Sequence, residues 1–344
     1  VARQHFETSL THAQDDHTLQ VPALYNLTEM AYRTGTFAEV ERLANQTKQV
    51  AIASQHTYGH AVAVRFMGKI TVDQGNLEEG FAYFNESLAL LDQSHDPQLT
   101  AAIYNDMGIS YAKRGENANA ATYFERGLNL HRKAGNRAGI SNLLTNLGML
   151  ANLNQDYELA HERFTEALSI SREIGFRMGT ATTLSHLGLV SSAQGDYGQS
   201  ITYFDESLQI LRDSKNLRSI AVNLNHQAHV YIALGDIASA KANLAESLQI
   251  GITMESKPIQ LLTLLLVAHI YQVEDRITLC ENLITFIEKQ PEVSAEYRSM
   301  YLEPLKAQVK PAQNDGDATR EQTLETIRTD AMSMLKQVTT DVED

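Results

Sequence analysis

The sequence predicts an all-α fold, an α-solenoid of stacked antiparallel helix pairs. Three observations predict it. The 344-residue chain repeats itself at a 40-residue period with no gap across six copies. Each copy holds two runs of apolar residues at helical spacing, and a glycine-centred turn separates the runs. The stretch HLGLVSSAQGDYGQSITYFDESL (His186–Leu208) returns forty residues later as HQAHVYIALGDIASAKANLAESL (His226–Leu248), and stands forty residues earlier as NLGMLANLNQDYELAHERFTEAL (Asn146–Leu168).

Residues 1–17 come first. ARQHFETSL (2–10) matches the second half of a repeat: Phe6-Glu7-Thr8-Ser9-Leu10 aligns with Phe204-Asp205-Glu206-Ser207-Leu208. This segment is expected to be the second helix of a truncated preceding repeat, and the chain a fragment of a longer protein. Residues 18–257 are six 40-residue repeats. Their turn glycines are Gly35, Gly75, Gly115, Gly195 and Gly235, with Gln155 in the remaining slot. Glycine supplies a left-handed helix stop, and a following Asp can cap the next helix. Seven residues before the turn stand Gly68, Gly108, Gly148, Gly188 and Ala228, with Thr28 the poorest fit. After it come Gly80, Ala120, Ala160, Ser200 and Ala240. Then follow Phe84, Phe124, Phe164, Phe204 and Leu244, and then Leu88, Leu128, Leu168, Leu208 and Leu248. The small residues let two helix backbones approach, and the Phe fills the space beside them. One pair cannot bury its apolar face alone, so pairs must stack.

Residues 258–290 form a degenerate seventh repeat: Ala268-His269-Ile270-Tyr271 still matches Ala228-His229-Val230-Tyr231, but Glu274-Asp275 replaces the glycine turn. A helix over 276–289 follows, and Pro291 ends it. Residues 291–310 are expected to hold a capping helix that closes the apolar end of the stack. Residues 311–344 read as a linker, Pro311–Asp317, and a C-terminal helix at about 318–337 with the stripe Leu324, Ile327, Ala331, Met334 and Leu335.

The pattern of Asn146-Leu147-Gly148 with Ala160 and Phe164 resembles the tetratricopeptide repeat. The likeness is strongest to its long-repeat variety, found in LGN and kinesin-light-chain arrays and in the C-terminal sensors of STAND-class regulatory ATPases. It covers roughly residues 1–290. The 40-residue period departs from the 34 typical of the family and falls in the HEAT/armadillo range. The spacing from the small residue to Ala and Phe favours the tetratricopeptide assignment. The resemblance implies a right-handed superhelix with the first helix of each pair on its concave face.

Composition narrows the function classes. The 28 Lys and Arg against 42 Asp and Glu give a net charge of −14, the wrong sign for a phosphate-backbone binder. The single cysteine, Cys280, cannot make an intramolecular disulfide, so the chain does not depend on an oxidising compartment and a cytoplasmic location is expected. The longest apolar run, Leu261–Tyr271, is too short to span a bilayer. No phosphate loop follows a strand and no nucleophile elbow is present. Cys280 lacks a spacing partner for a metal and is expected to be buried and inert. No catalytic residue, cofactor or metal is therefore assigned, and the chain is expected not to be an enzyme. His226 and His229 lie at i, i+3, and His186 and His269 occupy the same columns one repeat away. A metal would need three of them on one ion, whereas adjacent pairs stand about 8–10 Å apart, so a polar lining role is expected.

In tetratricopeptide proteins ligand contacts come chiefly from first-helix positions around the small residue. The resemblance carries this onto three columns. One is Asn26, Phe66, Asp106, Asn146, His186 and His226. The second holds Tyr25, Arg65, Asn105, Thr145, Ser185 and Asn225. The third is Glu29, Lys69, Ile109, Met149, Leu189, His229 and His269. Some of these polar groups are equally suited to bonding the adjacent repeat. The lining is rich in amides and imidazoles and has no Lys/Arg ladder, unlike the carboxylate clamp of chaperone-binding relatives. Amides suit a peptide backbone. The expected partner is a protein or peptide in the concave groove, with a small-molecule inducer and the upstream domains of the same polypeptide as further candidates. Neither nucleic acid nor membrane is expected. Three roles share the fold: a sensor arm of a STAND-type ATPase, a scaffold holding an extended peptide, and a quorum-sensing-type peptide receptor.

Overall fold

The computed structural model of the chain describes residues 2–13, 16–34, 37–92, 96–294, 297–309 and 324–336. The expected turn at Gly35 and the linker Pro311–Asp317 lie outside them. Among the described residues there are seventeen α-helices and no strand. They are α1 (Ala2–His12), α2 (His17–Thr34), α3 (Phe37–Ala53), α4 (Thr57–Asp73), α5 (Leu77–Asp92), α6 (Pro97–Lys113), α7 (Asn117–Ala134) and α8 (Arg137–Leu153). Then come α9 (Tyr157–Glu173), α10 (Arg177–Ala193), α11 (Tyr197–Asp213), α12 (Leu217–Leu234), α13 (Ile237–Thr253), α14 (Lys257–Val273) and α15 (Ile277–Glu288). A π-helical turn, Arg298–Leu302, runs into α16 (Glu303–Gln308), and α17 (Leu324–Lys336) is last.

The chain divides into two compact units, Val1–Asp156 and Tyr157–Asp344. In each, consecutive helices pack as pairs, and first helices also meet the next first helix: α2 on α4 on α6 in the first unit, α10 on α12 on α14 in the second. The architecture is the expected stack of helix pairs.

The turns explain the regularity. A residue with positive φ recurs every twenty residues, not every forty: Gly75, Gly115, Gly135, Gly175, Gly195 and Gly235, with Gln55, Gln155, Lys215, Glu255 and Asp275 at the non-glycine positions. The predicted turns within pairs are present at 75, 115, 155, 195 and 235, and the turns between pairs use the same geometry. At both kinds the chain folds back on the helix end. Asp196 N–H donates to Ser191 C=O at 2.9 Å, and Asn216 N–H to Leu211 C=O at 3.1 Å. The same residue then caps the next helix: Asp196 Oδ1 accepts from Gln199 N–H, and Asn216 Oδ1 from Ser219 N–H.

The packing columns do what their sizes require. A Cβ placed on Gly68, Gly108 or Gly188 would stand 2.8, 2.5 and 2.8 Å from the rings of Phe84, Phe124 and Phe204. Those rings are fully or almost fully buried. A second small column lies further along the second helices. Buried Ser87, Ser207 and Ser247 donate their hydroxyls to Ala61, Ala181 and Ala221 C=O on the first helix of the same pair. Cys280 is buried in α15, and burial pushes its thiol up to about 11, which keeps it protonated.

Beyond α15 the repeat register is lost. Tyr301, Leu302 and Leu305 join the core of the last pairs, and Ile327, Ala331 and Met334 of α17 are buried where that helix packs on α13 and α14.

Candidate functional site

The first-helix wall of the first unit is charged and aromatic. Arg65 on α4 and Asp106 on α6 are both buried and form an ion pair at 2.5 Å. Burial works against the Arg65 charge, but the charge and hydrogen bond of Asp106 outweigh it and hold the guanidinium above its ordinary value. Lys69, one turn on from Arg65, is half-buried. Its ammonium sits 3.8 Å from the centre of the Tyr32 ring and 5.3 Å from that of Phe66, a cation–π arrangement. Desolvation lowers its pKa. Tyr32 donates its hydroxyl to Asp73 at 2.8 Å, and Lys113 pairs with the same carboxylate. Phe66 is 0% exposed, with Tyr25 at 6.0 Å and Tyr32 at 6.3 Å between ring centres, so it serves the core and not a ligand. Asn26 turns back to its own helix and donates to Pro22 C=O. Glu29 is half-buried. Asn146 Nδ2 donates a hydrogen bond to Asn105 Oδ1 at 2.7 Å, linking α8 to α6. Met149 and Ile109 are exposed large hydrophobic side chains on the same helices.

The wall of the second unit is built from imidazoles. His186 on α10 stacks on Phe164, with ring centres 5.3 Å apart and planes 8° from parallel, and His226 on α12 stacks on Phe204 at 6.2 Å. His229 and His269 approach to 6.0 Å between ring centres. Enclosure without a counter-charge pulls all four below the ordinary histidine value. His186 and His229 fall to about 4, and His226, which also faces His186 and His229, to about 3. At neutral pH these are uncharged rings. Ser185 donates to Asn223 Oδ1 at 2.7 Å, and Thr263 to Asn225 Oδ1 at 3.1 Å, so α10, α12 and α14 are joined by polar side chains. Asn225 is buried, and its Nδ2 has no hydrogen-bond partner.

The structure sorts the lining side chains expected from the sequence by depth. Tyr25, Glu29, Lys69, Asn105, Asn146, His186, His229 and His269 are half-buried and Met149 is exposed. Arg65, Phe66, Asp106, Asn225 and His226 are buried behind them. Tyr32, Asp73 and Lys113 were missed. Asp73 and Lys113 stand forty residues apart with opposite charge, and that column was the available signal. Tyr297 and Tyr301, which lie against His226, were missed as well, and no repeat register marks them. Among the described residues, no group of three or more His, Cys, Asp or Glu is placed to hold a metal ion. No helix there is long and apolar enough to cross a membrane. A separate hollow of the first unit is lined by Leu88, Leu91, Pro97 and Leu130 with the polar Asp96, Thr100 and Tyr104.

The tetratricopeptide-repeat family model matches residues 60–133, 99–173, 139–213 and 179–252. No curated protein matches the sequence. Among solved structures, the chain is similar to a signal transduction ATPase with numerous domains (STAND) that carries a tetratricopeptide repeat sensor, from Pyrococcus horikoshii. The TM-score is 0.63 at 13% identity, over 89% of this chain and 46% of that one. It is similar to the apo form of RapI, with TM-score 0.59 at 14% identity over 82% of this chain and 98% of that one. It is also similar to aspartyl phosphate phosphatase F of Bacillus subtilis, with TM-score 0.57 at 13% identity over 88% and 97%.

Proposed function

The chain belongs to the tetratricopeptide-repeat family, and from that premise we propose that it is a non-catalytic binding domain whose first-helix walls receive a protein or peptide. One observation carries the proposal. The buried columns repeat every forty residues, but the half-buried positions facing out from the same helices do not: Lys69 and His229 share one column and Asn146 and His186 another, yet Lys69 sits over Tyr32, His229 against Tyr301, Asn146 on Asn105 and His186 on Phe164. A scaffold needs uniform columns, whereas recognition needs particular ones.

The finer reading is that of a sensor arm, in which an inducer on the walls releases a regulatory ATPase elsewhere in the polypeptide, in the cytoplasm. Its support is the likeness to the Pyrococcus horikoshii sensor-bearing protein, of which this chain spans less than half. A stack held by neighbour contacts changes curvature at modest cost, so a ligand bridging several repeats can bias it through differential affinity.

Two baits test the proposal: the native chain, and one carrying Lys69→Ala, Asn146→Ala and His186→Ala with unchanged helicity. A partner captured by the native bait and lost by the variant is the expected result. Partners retained equally by both would place binding off the walls. The captured partner, added to the full-length polypeptide, should change its ATP turnover. Unchanged turnover would reject the sensor role in favour of a plain scaffold.

A further inference from the structure

Part of the second unit's wall is already covered by the chain itself. Beyond Pro291 the turn Arg298–Leu302 packs on α14, and its Tyr301 meets His226 and His229 of α12. Tyr301 is buried, with its hydroxyl 2.8 Å from His226 Nδ1 and its ring edge-on to His229 at 4.9 Å. Tyr297 stands 6.5 Å from His226 and 6.3 Å from Tyr301 between ring centres. The π-helical turn Arg298–Leu302 brings the two tyrosines to the same imidazole, and such turns are frequent at functional sites.

Closing the apolar end of a helix stack calls for apolar side chains, and Leu302 and Leu305 supply them. A phenol hydrogen-bonded to a desolvated imidazole is a different kind of contact. It matches an amphipathic ring to a polar group sunk in an aromatic wall, as binding sites do. Met300 and Val309 pack partly buried against the same core, and the rest of the hold is polar and peripheral. The Arg298 guanidinium donates to Gln290 and Val293 C=O, and Lys306 pairs with Glu288 at half-exposed positions where such a bridge adds little.

We propose that Tyr297–Gln308 is a built-in ligand, seated where a tyrosine-bearing helical segment of a partner binds, so that partner binding requires its release. The inference rests on the walls being the binding surface. A partner gains only the difference between its own fit and that of the strap, so the covered wall discriminates against weak ligands.

Two measurements on the full chain test it. Hydrogen exchange compares the amides of 298–308 with those of α12 and α14. A labelled synthetic peptide, SAEYRSMYLEPLKAQV (residues 294–309), is titrated into the native chain, into Tyr301→Ala/Leu305→Ala, and into that variant with His226→Ala added. The strap amides should exchange about 100-fold faster than those of the two helices. The peptide should bind the released chain about tenfold more tightly than the native one, and His226→Ala should erase the gain. Strap amides that exchange only at the rate of α12 would make the segment an integral part of the fold, overturning the inference while leaving the walls as a binding surface. Fast exchange with no rebinding would overturn both, and equal binding to native and released chains would overturn the competition. Should the double variant not fold, Tyr301→Phe keeps the ring, removes the hydroxyl and carries the same comparison.

Discussion

A methyl group on Gly108 would stand 2.5 Å from Phe124 Cδ1, a distance that neither the ring nor the α6 backbone can accommodate without moving. In an open helix Gly→Ala gains about 1 kcal/mol of propensity, but overpacking a tight core costs about 1–3 kcal/mol, and here the clash dominates. Gly108→Ala should therefore lower stability in urea unfolding. Gly198→Ala, whose new methyl meets nothing closer than 3.9 Å, should leave stability unchanged or raise it slightly. Equal effects would show that the small column is not a contact requirement. His226 sets a second residue-scale expectation. It is neutral when folded, with a pKa near 3, and takes the ordinary value of about 6.5 when unfolded. The unfolded state thus binds the proton first. Stability is full above about pH 6.5 and falls as pH drops toward 3, by about 2 kcal/mol at pH 5 from this group. The native chain should lose that much more than His226→Gln between pH 7.5 and pH 5, and parallel losses would place the acid sensitivity in other groups.

At the scale of the helix, length is fixed by the left-handed stop at every twentieth residue. Five of these stops are not glycine, Lys215 at φ +54° among them. A side chain there costs about 1–2 kcal/mol, and glycine would relieve it while adding about 0.4–1 kcal/mol of unfolded-state entropy. Lys215→Gly should be stabilising by about 0.5–1 kcal/mol, and Gly195→Ala destabilising by about 1 kcal/mol. A melting comparison decides, and no change in either would mean that the turns are held by their caps instead. The turns within pairs were legible in the sequence because glycine marks four of the six described. Those between pairs were less so: Gly135 and Gly175 mark two of them, but Gln55, Lys215 and Glu255 do the same work with nothing in the sequence to announce it.

Over the whole chain, what repeats was readable and what does not repeat was not. The Gly, Ala, Phe and Leu columns are buried apart from half-buried Leu88, so their period gives the architecture directly. The walls are legible only as columns. Phe66 and Met149 stand on equivalent helices, yet Tyr25 and Tyr32 enclose the first and leave nothing for a ligand, while the second faces outward. Depth depends on neighbours forty residues away, which a column cannot report, and Tyr301 reaches His226 across 75 residues with no register at all. Stacking also dictates how damage spreads. Each pair contacts only its neighbours, so stability is a sum of local and nearest-neighbour terms. Phe204→Ala removes a fully buried ring at a cost of about 3–5 kcal/mol. The loss should appear as faster amide exchange in α10, α11 and α12, which share that core, while α2–α5 keep their native protection. Uniform loss along all seventeen helices would mean that the chain unfolds as a single cooperative body, and a ligand on one wall would then be felt everywhere and not only in the repeats it touches.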